Sequence, residues 1–151
     1  MARGARANKR GNMLEQSVAE VLDEDYERTS PSRFFHLRCL RQPIFSQQVF
    51  TGQNIYGKDR RIDLILYEPH KWPDCLVIQC KWQSSSGSVD EKFPFEVECI
   101  AEDAFPTIII LDGGGYSDGA KDWLMRQRGK RNLIEVLDLG GLMRWQADGR
   151  I

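Results

Sequence analysis

Apolar residues along this chain recur with two different periods, and the changes between them mark its elements. Leu14, Val18, Val21 and Leu22 share one stripe at helical spacing, which predicts a helix from Met13 to about Asp25. Asn12 stands in capping position with Glu15 three residues on, as in a capping box. At about 100° per residue Glu15 lies beside Leu22, at the edge of the stripe, so it can face along the core boundary rather than out to water. Residues 1–12 show no apolar periodicity and read as a flexible basic arm, leaving 13–151 as the folded domain.

Strand patterns follow. Phe34–Leu40 and Ile44–Phe50 read as strands separated by Gln42-Pro43, with a loop over residues 52–57. Ile62–Tyr67 and Cys75–Ile78 are two apolar runs joined by a turn that contains Pro69 and Pro73. Residues 83–88 form a serine-rich loop, and Ser88 or Asp90 can cap a helix reaching about Asp103, with Pro94 confined to its first turn. Pro106–Leu111 is a continuous apolar run, the mark of a buried strand. Ser117 caps a helix over about 118–128, Leu133–Leu139 closes as a last strand, and Trp145 covers an edge.

Three polar residues interrupt the central pair of strands: Asp63 on the first, Gln79 and Lys81 on the second. If Tyr67 pairs with Cys75, Asp63 falls opposite Gln79, and alternation puts Lys81 on the face of Gln79. A slip of one residue would move one strand's side chains to the other face. A carboxylate, an amide and an ammonium gathered this way suit phosphate chemistry. Oxygen donors hold Mg²⁺, which binds through few carboxylates plus substrate phosphate. A lysine can orient water or neutralise charge on a phosphorane. Asp63 alone leaves such a site poor in negative charge, and Glu15 at the helix edge can make up the deficit.

Charge changes the picture further. The 151-residue chain has a net charge of −1, yet the charge is segregated. Arg3, Arg6, Lys9 and Arg10 give residues 1–14 a net +4, and residues 28–61 carry +6, leaving −11 elsewhere. Lys58, Arg60 and Arg61 belong to the second segment. Such asymmetry is the footprint of a nucleic-acid partner, and the Arg, Gln and Asn content of 28–61 suits groove contacts. The four cysteines contain no CxxC pair, and His36 and His70 complete no zinc set, so they read as reduced structural thiols. The glycines at 113–115 lack both the GxGxxG and the Walker spacing and read as a tight turn. No GxSxG elbow or HExxH occurs. With no run of eighteen apolar residues and no signal-peptide pattern, a cytoplasmic (intracellular) protein with no membrane partner is expected.

Asp63 followed after fifteen residues by Gln79-Cys80-Lys81 resembles the PD-(D/E)XK nuclease superfamily in its QxK variant. Ile62 replaces the proline, and Gln79 replaces the acid. The segments Lys81-Trp82-Gln83, Gly87–Lys92 with Pro94, and Pro106 through Gly115 are similar to the endonuclease-like domains of restriction and homing enzymes. The resemblance covers residues 12–139, while 28–61 looks particular to this chain.

It implies an α/β fold, a restriction-endonuclease-like core with a central mixed β-sheet flanked by helices, in the order αβββαβ plus a following αβ. It implies Mg²⁺-dependent hydrolysis of double-stranded DNA, with Mn²⁺ as a substitute, leaving 5′-phosphate and 3′-hydroxyl ends. Asp63, Gln79 and Glu15 would form the metal site, Lys81 would act on water or phosphate, and Gln83 and Lys92 would touch phosphate. The activity expected is that of a site-specific endonuclease of the homing or restriction type. The alternatives are a structure-specific nuclease such as a Holliday-junction resolvase and a catalytically inactive DNA-binding subunit. Cutting both strands needs two sites, so a homodimer or homotetramer is expected.

Overall fold

The computed structural model describes residues 2–83 and 90–151, and for residues 2–8 the backbone only. Its centre is a mixed sheet of six strands in sequence order. They are β1 (Glu27–Arg28), β2 (Ile44–Gln53), β3 (Asp59–Glu68), β4 (Trp72–Trp82), β5 (Thr107–Asp112) and β6 (Leu133–Leu137). β2, β3 and β4 form an antiparallel meander, while β4, β5 and β6 run parallel, as do β1 and β2. Five helices accompany it among the described residues: α1 (Ala2–Leu22), α2 (Phe34–Leu37), α3 (Lys92–Glu102), α4 (Asp118–Met125) and α5 (Leu139–Ala147). Each parallel crossover carries a helix, α3 between β4 and β5 and α4 between β5 and β6, as parallel connections require.

Two helices cover one face of the sheet. Leu14, Val18 and Leu22 of α1 and Leu142 of α5 pack on Leu64, Leu66, Leu76, Ile78, Ile108 and Ile110. The opposite face is divided. Phe34 packs with Ile44, Ile65, Tyr67 and Val77 under the early strands. Phe93, Val97 and Ile100 of α3 and Leu124 of α4 pack on Ile109, Leu111 and Val136. The alternation of Ile108 and Ile110 against Ile109 and Leu111 explains the unbroken apolar run: β5 is central and covered on both faces.

Four sequence expectations change. α1 begins at Ala2, so Asn12 lies inside the helix and caps nothing, and residues 2–12 are helical where a flexible arm is expected. Ala, Arg and Lys are good helix formers, so the helix continues beyond the stripe that packs on the sheet, with no apolar period to announce it. Phe34–Leu40 is not a strand but the short helix α2 followed by a 3₁₀ turn over Arg38–Leu40. Its apolar run serves one anchor, Phe34, which is fully buried. The β1 strand at Glu27–Arg28 takes the edge position beside β2 instead. The last strand ends at Leu137, because Asp138 caps a new helix by accepting from the Gly141 N–H at 2.6 Å. Trp145 therefore sits on α5 and packs against the α1-side core.

Pro94 lies in the first turn of α3, where its missing N–H costs no helical bond. The expected capping role of Ser88 falls outside the described residues. At the glycine triplet the requirement is steric. Gly113 has φ of 85°, and a Cβ there would run into the backbone carbonyl of Gln83. Gly115 donates to that same carbonyl at 2.9 Å, so the turn after β5 is pinned to the end of β4.

Candidate active site

The site forms where β3 and β4 part. Their ladder pairs Leu66 with Leu76, Ile65 with Val77 and Leu64 with Ile78. Continued, this register would set Asp63 opposite Gln79 as expected, but the ladder ends at Leu64. Asp63 faces the cavity with Glu15, and Gln79 and Lys81 meet Glu96 of α3. Toward the turn the ladder shifts before Glu68 meets Trp72, and Cys75 takes a left-handed φ of 71° there. Beyond Leu64 the backbones separate, β3 staying with β2 and β4 with β5. Side chains close the fork. The Asp63 N–H donates to Gln79 Oε1 at 3.0 Å, and the Cys80 N–H donates to Asp63 Oδ2 at 2.8 Å. Each strand thus satisfies an orphaned backbone donor of the other, which fixes the Asp63 carboxylate.

Alternation also slips at this point. Ile62 and Ile65 are an odd number of residues apart yet share one core cluster, and so do Ile44 and Val49 on β2. The slips fall at Asp63 and at Gln48, which are flanked by the pairs Gln47–Leu64 and Val49–Ile62. Gln48 has a left-handed φ of 56°, a conformation that costs an L-residue roughly 1–2 kcal/mol. The result is that Asp63 and Gln48 both turn toward α1. With Asn12, Glu15, Gln16, Gln47 and Arg61 they line an open, polar cavity of about 540 Å³.

Within that cavity the carboxylates are under-compensated. Glu15 Oε2 accepts from Gln48 Nε2 at 2.6 Å. Its pKa is raised above the ordinary carboxylate value, first by burial and then by the nearby Asp63 charge, against the pull of Gln48, Arg61 and Lys81. The Asp63 pKa is raised too, chiefly by burial, although Lys81 and the Cys80 N–H pull it down. Two carboxyl groups that both resist ionising are a donor set a hard cation would relieve. Among the described residues no group of three or more His, Cys, Asp or Glu gathers as a metal cluster. Two carboxylates facing one open polar cavity are a donor set that suits a cation taking few carboxylates, with positions left for water and phosphate.

The opposite side of the fork is fully paired. Glu96 projects from α3, buried, and meets Arg60 at 3.0 Å, Gln79 Nε2 at 3.1 Å and Lys81 Nζ at 3.2 Å. Arg60 also donates through Nε to both oxygens of Asp103, at 2.9 and 2.8 Å. Burial pushes the Glu96 pKa up, but Lys81 and Arg60 outweigh it and hold the carboxylate below its ordinary value. For Lys81 burial acts downward, while Glu96 and Asp63 prevail and keep the ammonium charged. With 27% of its side chain exposed, Lys81 is anchored at one end of the network and still reachable from outside.

The expected site residues thus take distinct places. Glu15 and Asp63 share the cavity. Lys81 stands behind Asp63, tied to Glu96. Gln79 is committed at both ends, its oxygen to Asp63 N–H and its NH₂ to Glu96. Of the basic residues expected to touch DNA, Arg61 lines the cavity, and Lys9, Arg10, Lys58 and Lys92 are exposed. Arg60 is the correction: it is 6% exposed and spent on two buried carboxylates, so its charge is unavailable to a polyanion. Gln83 is also buried, donating to Gly115 O at 3.1 Å, which ties the β4 end to the glycine turn rather than to phosphate. The side chains of Arg3 and Arg6 lie outside the described residues.

Glu96 and Gln48 are absent from the sequence expectations. For Glu96 a signal existed: it falls on the stripe of Phe93, Val97 and Ile100, and an acid at a core position of a helix demands a partner. For Gln48 there was none, because its place depends on the slip in alternation.

A mixed sheet with α1 on one face and α3 on the other, carrying an acid at a strand fork and a lysine beside it, defines a restriction-endonuclease-like α/β fold. The profile of the PD-(D/E)XK nuclease superfamily domain matches residues 6–149, nearly the whole chain. The chain belongs to the PD-(D/E)XK nuclease superfamily. None of the curated proteins and none of the solved structures compared with it matches. No helix among the described residues is long and apolar enough to cross a membrane.

Proposed function

We propose that the protein is a site-specific endonuclease of the homing or restriction type, acting on double-stranded DNA with Mg²⁺, or Mn²⁺ in its place. The observation that carries this reading is the pairing of two under-compensated carboxylates, Glu15 and Asp63, in an open cavity with a lysine held charged behind them. Asp63 and Glu15 would hold the cation. Gln79 would line the site mainly by fixing Asp63, since both ends of its amide are engaged. When bound, the cation supplies Lewis-acid stabilisation of charge at the scissile phosphate.

The reaction is hydrolysis. Water oxygen bonds to phosphorus, the P–O3′ bond breaks, and the proton balance leaves a 5′-phosphate and a 3′-hydroxyl. Lys81 is better suited to stabilise the phosphorane than to take a proton from water, because a lysine whose pKa is raised stays protonated and has no free lone pair to accept with. Arg61 at the cavity wall and Lys58 nearby on segment 28–61 would bind flanking phosphates, giving salt-dependent affinity. A homodimer or homotetramer would present two such sites to the two strands.

Incubation with Mg²⁺ and either a plasmid library or a synthetic four-way junction tests the reading. Discrete plasmid fragments are expected. Cleavage of the junction alone would replace it with a structure-specific resolvase, and tight binding without product would make the protein a DNA-binding subunit.

A further inference from the structure

We infer that Gln48 is a positioning residue of the site, clamping Glu15 in place against Asp63 so that both carboxylates meet one cation. The inference deepens the nuclease reading and rests on it for its purpose, while the contact rests on geometry alone.

Three observations converge on Gln48. It stands inside a ten-residue strand, yet takes a left-handed backbone with φ of 56°. Strained backbone of this kind persists only where its surroundings impose it, and it concentrates at functional positions. The strain has a directional effect. Regular alternation from Gln47 would turn Gln48 toward the Ile44 and Ile65 cluster, whereas the slip sends Val49 there and leaves Gln48 on the cavity side. The side chain then reaches across to α1, and its Nε2 meets Glu15 Oε2 at 2.6 Å. Among the described residues it is the hydrogen-bond donor that reaches the Glu15 carboxylate.

The chemistry of an amide fits the task. Arginine or lysine at this place would neutralise Glu15 and compete with a metal ion. An amide donates to one carboxylate oxygen, leaves the net charge in place and carries no charge of its own. Without it, Glu15 sits on a helix edge with rotamer freedom, facing a like charge on Asp63. Groups that orient ligand side chains in this way typically alter metal affinity by about 10–100-fold when removed.

Gln48→Gly is the discriminating variant, because glycine accepts the left-handed backbone without strain and removes only the side chain. Titration of the full chain with Mn²⁺ by calorimetry should show affinity weakened about tenfold, and cleavage by the variant should recover at raised Mn²⁺. Wild-type Mn²⁺ affinity together with a wild-type cleavage rate in Gln48→Gly would overturn the inference. A urea-unfolding cycle of Gln48→Gly, Glu15→Ala and the double variant gives a readout without metal. The pair should be non-additive by about fivefold in the unfolding constant, and strict additivity would overturn the clamp. If the wild-type protein binds no Mn²⁺ while the cycle shows coupling, the metal-dependent reading falls and the clamp stands.

Discussion

The two sides of the β3–β4 fork are built from similar residues but differ in how their carboxylates are partnered. On the α3 side, Arg60, Lys81, Glu96 and Asp103 pair with one another and Gln79 fills the remaining contact, so that Glu96 is held ionised, although burial raises the pKa of Asp103 despite its Arg60 partner. On the α1 side, Glu15 and Asp63 share a cavity with one amide between helix and strand, and both carboxyl groups resist ionisation. A closed network is a scaffold, since every charge already has its partner. An open one stores unsatisfied charge, which is what a cation and a phosphate can use. Lys81 belongs to both, because Glu96 fixes it and Asp63 feels it.

The sharpest way to separate the two sides is to remove one group at a time. Asp63→Ala and Lys81→Ala should each lower the single-turnover cleavage rate on the order of 10³-fold, with DNA binding retained in gel-shift assays. Cleavage at the wild-type rate by Lys81→Ala would sink the assignment of the site. On the scaffold side Arg60→Ala leaves Asp103 without its cation and Glu96 with Lys81 alone, and urea denaturation should show a loss of about 3 kcal/mol. A loss under 1 kcal/mol would mean that the network carries no structural weight.

Gln79→Glu sharpens the contrast at the seam. The new carboxylate would face Glu96 at the present 3.1 Å contact, so stability at neutral pH should fall by about 1–3 kcal/mol. Part of it should return as the pH drops and one of the pair takes a proton. Unchanged stability at pH 7 would show that the fork can rearrange.

The smallest effect has the opposite sign. The folded-state pKa of Asp63 is raised, so its contribution to stability is present below the unfolded value and lost as pH rises through the folded one. At pH 7 the carboxylate therefore opposes folding, and Asp63→Asn should stabilise the protein by about 1 kcal/mol or less while ending cleavage. Catalysis should show the reverse dependence, fading on acidification as protons compete with the cation for Asp63 and Glu15. A cleavage profile flat down to pH 4 would detach both groups from the reaction.

Much of this architecture follows from pattern. The apolar stripe of α1, the alternation of β3 and β4 and the uninterrupted run of β5 each reflect a local rule about which face is buried. The spacing from Asp63 to Gln79 and Lys81 is likewise set by hairpin register, and Glu15 by its angle on a helix. The chain by itself therefore determined its four longest strands from Ile44 onward, its family and which polar residues interrupt apolar strands.

Tertiary structure decided the rest, wherever a contact joins residues without a shared period. Arg60 looks like part of a basic surface until Glu96 and Asp103 are seen to enclose it. Residues 2–12 lack an apolar face, so nothing in their pattern marks the helix they continue. Gln48 and Asp63 reach Glu15's side only because alternation slips on two neighbouring strands at once. A slip of that kind is a property of paired backbones, and its energy comes from packing on both faces of the sheet.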